Sequence, residues 1–533
     1  MTIPDFNPKD SKKISSPDIN QENTAGFKEG EDFRTVKLRT RKYDDGVLLT
    51  NDYGKWLFLF KKEYEDFLFG NMSEELFKKL EESFMIITDA NMDRVAHQIN
   101  DYYWHISNGT SLHIIVPTLR CNFTCRYCYA FRAPLDKKDV DMDEKVMEKT
   151  IDFIFKSPSK TYSIEFTGGE PLLKWDLVKK AILKAEKMGK ENNKTTLFSI
   201  VTNGIYLKED MLEFLEEHKV GLCLSLDGPK DLHDKNRKYT ETGKGTYESV
   251  IKTLDMLKKH KYPSVNAIPV IVNDSLNLWK DIVDEYVKQG FNSVRFKYIS
   301  RFGFASKAWE QMSYSPEEYL DKWKKTINYM IELNKKGIEV SENIASMILF
   351  KLIRNLDAGY AELQIPCGAV IGQVVYDYDG SIYTCDEGRT MPEFKVGDVF
   401  TSEYKDLLNC PVTKTLQSVS NLTATCDECP WFTYCGICPL EIYNTEKGFI
   451  TNIPANYRCK IHKGMFEFIF EKILHDPEAK KHMYKWPFYK RGVMGIYENN
   501  PITTPFKENE TSTKGAKEEE EDATIRITEI ATD

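Results

Sequence analysis

From His113 to about Lys335 the chain alternates strand and helix without a break, and this rhythm constrains its architecture more than any other feature. The strand candidates are "LHIIVPT", "TYSIEFTGG", "TLFSIVTNG", "VGLCLSLDG", "VNAIPVIV" and "NSVRFKYIS". Helical patterns stand between them. In "DLVKKAILKAEKM", for example, Leu177, Val178, Ala181, Ile182 and Ala185 share one face. Strands separated by helices pair in parallel, since a parallel pair needs a long crossover. Right-handed crossovers then leave an α/β fold whose sheet either opens flat or curls into a barrel.

The flanks differ. Residues 1–32 are polar with scattered Pro and Asn, the composition of a disordered segment. Residues 33–110 predict a small α+β module. In it "GVLLTNDYGKWLFLF" forms a hairpin turning at Asn51 to Gly54, followed by helices "KEYEDFLF" and "SEELFKKLEESF" with Ser73 as a start signal. Residues 111–340 hold the alternating series and 341–470 a cysteine-rich segment. Residues 471–533 complete a last helix and an acidic, loose tail, in which "TIRITEI" carries strand alternation. The formal charge of −9 argues against a large basic surface, and so against a nucleic-acid partner. "WLFLF" is far too short to span a bilayer and the first residues lack the apolar core of a signal peptide. The expectation is a cytoplasmic protein without a membrane partner.

Twelve cysteines in a reducing compartment point to metal or redox chemistry rather than disulfides. Ten cluster, while Cys223 and Cys410 stand apart. Cys223, inside a strand, reads as a small buried hydrophobe. "TLRCNFTCRYCYA" places Cys121, Cys125 and Cys128 just after the first strand of the series, where α/β folds put their chemistry. Three thiols do not close a tetrahedral zinc site, though a distant His or Cys could. They would also hold a four-iron cluster with one iron open. Tyr127 reads as a packing residue beside them.

Cys-x3-Cys-x2-Cys after the first strand resembles the signature of the radical S-adenosylmethionine (SAM) superfamily. The resemblance implies a partial (β/α)6 barrel and a [4Fe-4S] cluster whose open iron binds SAM. Reduction of the cluster then cleaves SAM to methionine and a 5′-deoxyadenosyl radical. "TGGEP" is similar to the family's GGEP motif, with Gly168 and Gly169 allowing close backbone approach and the Glu170 carboxylate suited to the SAM ammonium. "VTNG" and "SLDGP" resemble further SAM-contact segments, so Asn203, Ser225 and Asp227 could reach the ribose or methionine moiety. Asn and Asp before Gly are also ordinary turn residues. Arg237, in "LHDKNR", is a candidate partner for the SAM carboxylate or a plain surface arginine.

Downstream, Cys367, Cys385 and "CDECPWFTYCGIC" are followed by Cys459. Cys-x2-Cys-x5-Cys-x2-Cys alone suits a zinc ribbon. With its flanking thiols the segment looks like the SPASM extension of radical SAM peptide-modifying enzymes. It departs from that pattern in having two residues, not three, between Cys435 and Cys438. The resemblance implies two auxiliary iron–sulfur clusters, one on Cys367, Cys385 and Cys438 and the other on Cys426, Cys429, Cys435 and Cys459. The first would lack a ligand unless a group such as Cys410 completes it. Asp386 matches in position the acidic base of sulfatase-maturing relatives, or is a surface turn residue.

A hairpin and short helices ahead of such a core resemble the winged-helix leader-recognition elements of ribosomal peptide pathways. The layout, with "GKWLFLFKKEYEDFL", "GTSLHIIVPTLRC" and "YTCDEGR", is most similar to maturases of the His-Xaa-Ser repeat system. This implies a precursor peptide as substrate, to be cross-linked, epimerised or oxidised, and an electron donor such as flavodoxin or ferredoxin. A formylglycine-generating sulfatase maturase, a radical SAM enzyme on a small molecule, and a zinc-binding structural protein stand as alternatives.

Overall fold

A computed structural model describes residues 33–419 and 424–489, in a chain that divides into two compact units, 1–100 and 101–533. The expectations placed on residues 1–32 and on the tail, "TIRITEI" included, lie outside the described residues.

In the first unit β1 (Phe33–Thr35) pairs antiparallel with β5 (Ile86–Thr88). β2 (Leu38–Lys42), β3 (Gly46–Asn51) and β4 (Trp56–Phe60) form an antiparallel sheet in that order. Asn51 makes the β3–β4 turn, its Oδ1 accepting from the backbone N–H of Tyr53 at 3.0 Å and Lys55 at 3.1 Å. Gly54 completes it at φ +76°, a value costly for a residue with a Cβ. Helix α1 (Lys61–Leu68) follows, and Ser73 caps α2 (Glu74–Glu82) by accepting from Leu76 N at 3.1 Å. Leu49, Leu59, Leu80 and Met85 are at 0% exposure in the core between sheet and helices.

The second unit is α/β. Its parallel strands are β6 (Leu112–Thr118), β8 (Thr161–Gly168), β9 (Thr195–Thr202), β10 (Gly221–Ser225) and β12 (Val265–Ile268), in spatial order β12-β10-β9-β8-β6. Two short strands of the mouth, β7 (Phe123–Cys125) and β11 (Arg237–Tyr239), pair antiparallel with each other. The crossover helices bury the faces that periodicity predicts: Leu177, Val178, Ala181, Ile182 and Ala185 are all buried in helix Trp175–Glu191.

Two features differ from the regular six-fold alternation. The sixth strand, β13, is only Ser293–Val294, and it pairs with β14 (Ser341–Glu342) rather than with β12. Pro269 ends β12 because it offers no N–H to a ladder, so the fifth and sixth segments meet through a single parallel bridge, Ile271 to Tyr298. On the other edge the cysteine-rich segment extends the sheet. Its β15 (Gln373–Tyr376) runs parallel beside β6, followed by antiparallel β16 (Ser381–Tyr383) and β17 (Lys395–Asp398). Because β16 runs antiparallel to β15, Cys385, two residues beyond it, lies toward the Leu112 end of β6 rather than the end that leads to Cys121. No described helix is long and apolar enough to cross a membrane.

Candidate functional site

The loop after β6 curls so that its thiols face one another. Cys121 N donates to Ala133 O at 3.1 Å and Cys128 N to Cys125 O at 3.3 Å, closing the turn. In the β7–β11 ladder Cys125 stands opposite Arg237. Three donors approach the sulfurs: Phe123 N lies 3.4 Å and Asn203 Nδ2 4.0 Å from Cys121 Sγ, and Arg237 Nη1 lies 3.9 Å from Cys125 Sγ. Burial, then the neighbouring thiols, raises the Cys121 pKa; burial chiefly pushes Cys125 up to about 12. Thiols shifted like Cys121 and Cys125 are costly to ionise unless a cationic centre draws off the protons. The donor set therefore suits a metal centre. Among the described residues no three or more His, Cys, Asp or Glu groups converge on a single-ion site.

The glycines of "TGGEP" serve this loop directly. Gly169 N donates to Thr118 O at 2.9 Å and Glu170 N to Arg120 O at 2.8 Å. A Cβ on Gly169 would stand 2.2 Å from Arg120 O and 2.5 Å from Leu119 O, both backbone atoms of the segment that leads into the thiol loop. Gly169→Ala should therefore displace the thiol loop. The expected result is a loss of iron bound after anaerobic reconstitution together with a lower unfolding temperature.

Glu170 is held from several directions. Its carboxylate is fully buried: Oε1 accepts from Leu172 N at 3.0 Å and Thr202 Oγ1 at 2.7 Å, and Oε2 from Asn203 N at 2.9 Å. Burial pushes its pKa up to about 7, against those hydrogen bonds. It bolts the end of β8 to the turn after β9 and so places Asn203, whose Nδ2 donates to Asn122 Oδ1 at 2.7 Å. Asp227 is likewise a support rather than a wall residue. It accepts from Arg237 Nη2 at 3.1 Å, Val270 N at 3.2 Å and Asn236 Nδ2 at 3.1 Å, and from the Tyr127 hydroxyl. Burial opposes its charge, yet Arg237 and His233 hold the carboxyl below its ordinary range. Arg237 is 7% exposed and stacks over the Tyr127 ring at 5.3 Å, which removes the plain-surface reading of this arginine.

These elements open on a cavity of about 1260 Å³ inside the second unit. Its wall includes the three loop cysteines, Tyr127, Gly168, Gly169, Asn203, Ser225, Arg237 and Asp386; Glu170 and Asp227 stand behind it. Asp386 lies in the turn after Cys385, partly buried and facing this cavity. Burial, then Glu387, pushes its pKa up to about 6, while Arg389 and a hydrogen bond with Tyr129 oppose the shift. Cys223 also faces the cavity rather than the surrounding core, and burial pushes its thiol up to about 12.

Sequence reasoning missed Glu165, Arg295 and Lys297, which line the same space. The signal was present: Ser163 and Glu165 on β8, Cys223 and Ser225 on β10, and Arg295 and Lys297 after β13 recur at period two, the mark of one strand face. Burial, then Asp386, pushes Glu165 up to about 7, with Arg295 opposing. Between pH 4.5 and 7 the folded chain thus keeps a proton that the unfolded chain has lost, and stability falls as pH rises through that window. Glu165→Gln should remove the loss. From pH 5 to pH 8 the variant should keep about 1–3 kcal/mol that the parent gives up, allowing for water in the cavity. Paired denaturant titrations at the two pH values measure it.

The downstream thiols form two groups. Cys385 faces Cys438 and Cys367, and its Sγ accepts from Gly388 N at 3.3 Å. Cys435 faces Cys429, Cys459 and Cys426. Burial raises every thiol of the first group, Cys367 to about 11; in the second it raises Cys435, and Cys459 to about 11.

The partial parallel barrel thus carries a trio of thiols at its C-terminal mouth, open to the cavity. Residues 115–286 match the radical SAM superfamily model, and the chain is an enzyme with a radical SAM domain. It is 24% identical over 360 residues to a cysteine-type anaerobic sulfatase-maturating enzyme of Clostridium perfringens (strain 13 / Type A), an alignment covering 66% of this chain and 94% of that one. It is 26% identical over 368 residues to the radical SAM cyclopropyl synthase TigE of Paramaledivibacter caminithermalis, covering 63% and 69%. Among solved structures, native anSMEcpe with bound AdoMet superposes with a TM-score of 0.59 at 22% identity, covering 69% of this chain and 99% of that one.

Proposed function

We propose that this chain is a radical SAM/SPASM peptide maturase. One observation carries the reading: three separate groups of thiols are built into the second unit, and the first opens on the same cavity as Asp386. Cys121, Cys125 and Cys128 would hold the SAM-binding [4Fe-4S] cluster. Cys367, Cys385 and Cys438, and Cys426, Cys429, Cys435 and Cys459, would hold the two auxiliary clusters. When bound, the first cluster with SAM supplies a 5′-deoxyadenosyl radical, which takes a hydrogen atom from the substrate.

The chain's own residues do the rest. Arg237, fixed by Asp227 and Tyr127, presents a guanidinium to the cavity for the SAM carboxylate. Asn203 and Ser225 offer hydrogen bonds at the rim. Asp386 takes the proton released as the substrate is oxidised. Arg295 and Lys297 give the inner wall positive charge, and the β-sheet edges of the first unit suit an extended leader peptide as an added strand. A low-potential flavodoxin or ferredoxin would deliver the electron, in the cytoplasm.

The decisive experiment is anaerobic purification with iron and sulfide analysis, followed by co-expression with short peptides encoded beside the gene. Three clusters give about twelve irons per chain, and a mass change in one peptide identifies the substrate. Zinc with negligible iron, or no 5′-deoxyadenosine after reduction, overturns the reading. The similarity to a sulfatase-maturating enzyme keeps formylglycine formation as a second reading, tested by the same assay on a sulfatase-derived peptide.

A further inference from the structure

The wall of the cavity is wired to a sulfur of the third thiol group. Arg458 is 1% exposed on helix Tyr457–His475. Its Nη2 donates to Glu362 Oε2 at 2.8 Å and its Nη1 pairs with Glu441 Oε2 at 3.0 Å. Its Nε donates to Tyr298 Oη at 2.5 Å, and Tyr298 Oη lies 2.9 Å from His462 Nε2. On the far side of the ring, His462 Nδ1 lies 3.5 Å from Cys435 Sγ. Tyr298 and His462 are 2% and 3% exposed, so no bulk water intervenes. Glu362 also binds Lys297, a cavity-wall residue, and lies 3.7 Å from Arg295 Nη2.

The direction of these bonds follows from chemistry. A guanidinium only donates, so Tyr298 accepts from Arg458 and has its own O–H to give. Given to His462 Nε2, that hydrogen leaves the imidazole proton on Nδ1, aimed at sulfur. A thiolate at Cys435 selects the same tautomer, because a bare Nδ1 lone pair would oppose it. Both ends therefore set one polarity, and bonds aligned in series polarise one another.

We propose that Arg458, Tyr298 and His462 form a one-directional hydrogen-bond relay that ties the charge of the cavity wall to Cys435 Sγ and holds up the reduction potential of the cluster bound there. The inference rests on the auxiliary-cluster reading above. Hydrogen bonds to cluster sulfurs favour the reduced, more negative state. All three are positioning residues, since they act through Cys435.

The test uses the full chain, reconstituted anaerobically, with the clusters' EPR signals followed in a potentiometric titration. His462→Leu should lower one auxiliary midpoint. At a fixed potential its reduced-to-oxidised ratio falls about tenfold, the weight of one hydrogen bond to a charged group, or about 59 mV for a one-electron couple. His462→Asn, whose carboxamide N–H reaches the place of Nδ1, should recover most of that shift. Tyr298→Phe, the mildest change to the fold, should move the same midpoint in the same direction. Full iron content with unmoved midpoints in His462→Leu and Tyr298→Phe overturns the relay alone. About four irons per chain in the parent protein overturns the auxiliary-cluster reading and the relay with it.

Discussion

Replacing Cys125 by alanine is expected to cut 5′-deoxyadenosine formation from SAM in the reduced protein by more than about a hundredfold. Cys125 lies in the β7–β11 ladder opposite Arg237, whose Nη1 is 3.9 Å from its sulfur, so backbone and charge converge on this thiol. The ladder itself survives the change, because its register depends on main-chain groups. Loss of outer hydrogen-bond partners alone costs metal sites about 10–100-fold, so removing a ligand should cost more than about a hundredfold in SAM cleavage. On the proposed three-cluster reading, iron should fall by about four of twelve atoms per chain, with the far-ultraviolet circular dichroism spectrum unchanged. Cys223→Ala is the matched control: its thiol faces the same cavity but belongs to none of the three groups, so iron and SAM cleavage should both persist. A Cys125→Ala protein that cleaves SAM at the parental rate would remove the chemical basis of the assignment.

The strand–helix rhythm was legible because each crossover helix must bury one stripe and each inner strand both faces, and these demands leave period and apolar runs in the sequence. It misled at the sixth strand. "NSVRFKYIS" has the composition of a strand, but Pro269 in the neighbouring strand withholds the N–H that a ladder needs, and only Ser293 and Val294 pair. Nor could it show β15 joining β6, since pairing between residues some 260 positions apart leaves no local trace.

The site divides along the same line. Thiols are rare and their spacing is informative, so the cysteines could be named from the sequence. Carboxylates are common, and which way one points depends on the whole fold. Glu170 and Asp227, expected near the ligand, are seen holding Asn203 and Arg237. Glu165 was passed over inside an apolar run, although alternation with Ser163 put it on the inner face.

Asp386→Asn should separate the two halves of the reaction. The substitution keeps the size and hydrogen-bonding ability of the side chain beside Tyr129 while removing its basicity, so the cavity keeps its shape. On the proposed reading SAM is bound and cleaved at the thiol loop and Arg237; Asp386 touches that loop through Tyr129, and asparagine can keep that hydrogen bond. 5′-Deoxyadenosine should therefore still form in the variant. Modified peptide should fall by about 10²–10⁴-fold, the usual contribution of a positioned general base. Mass spectrometry of peptide and nucleoside from one reaction gives both quantities, and their ratio is the diagnostic. Equal loss of both would make Asp386 a support for the SAM site. Loss of neither would leave Glu165, the other cavity carboxylate with a raised pKa, as the group to take the proton. The uncoupled outcome arises only if the substrate radical forms and then finds no base at Asp386.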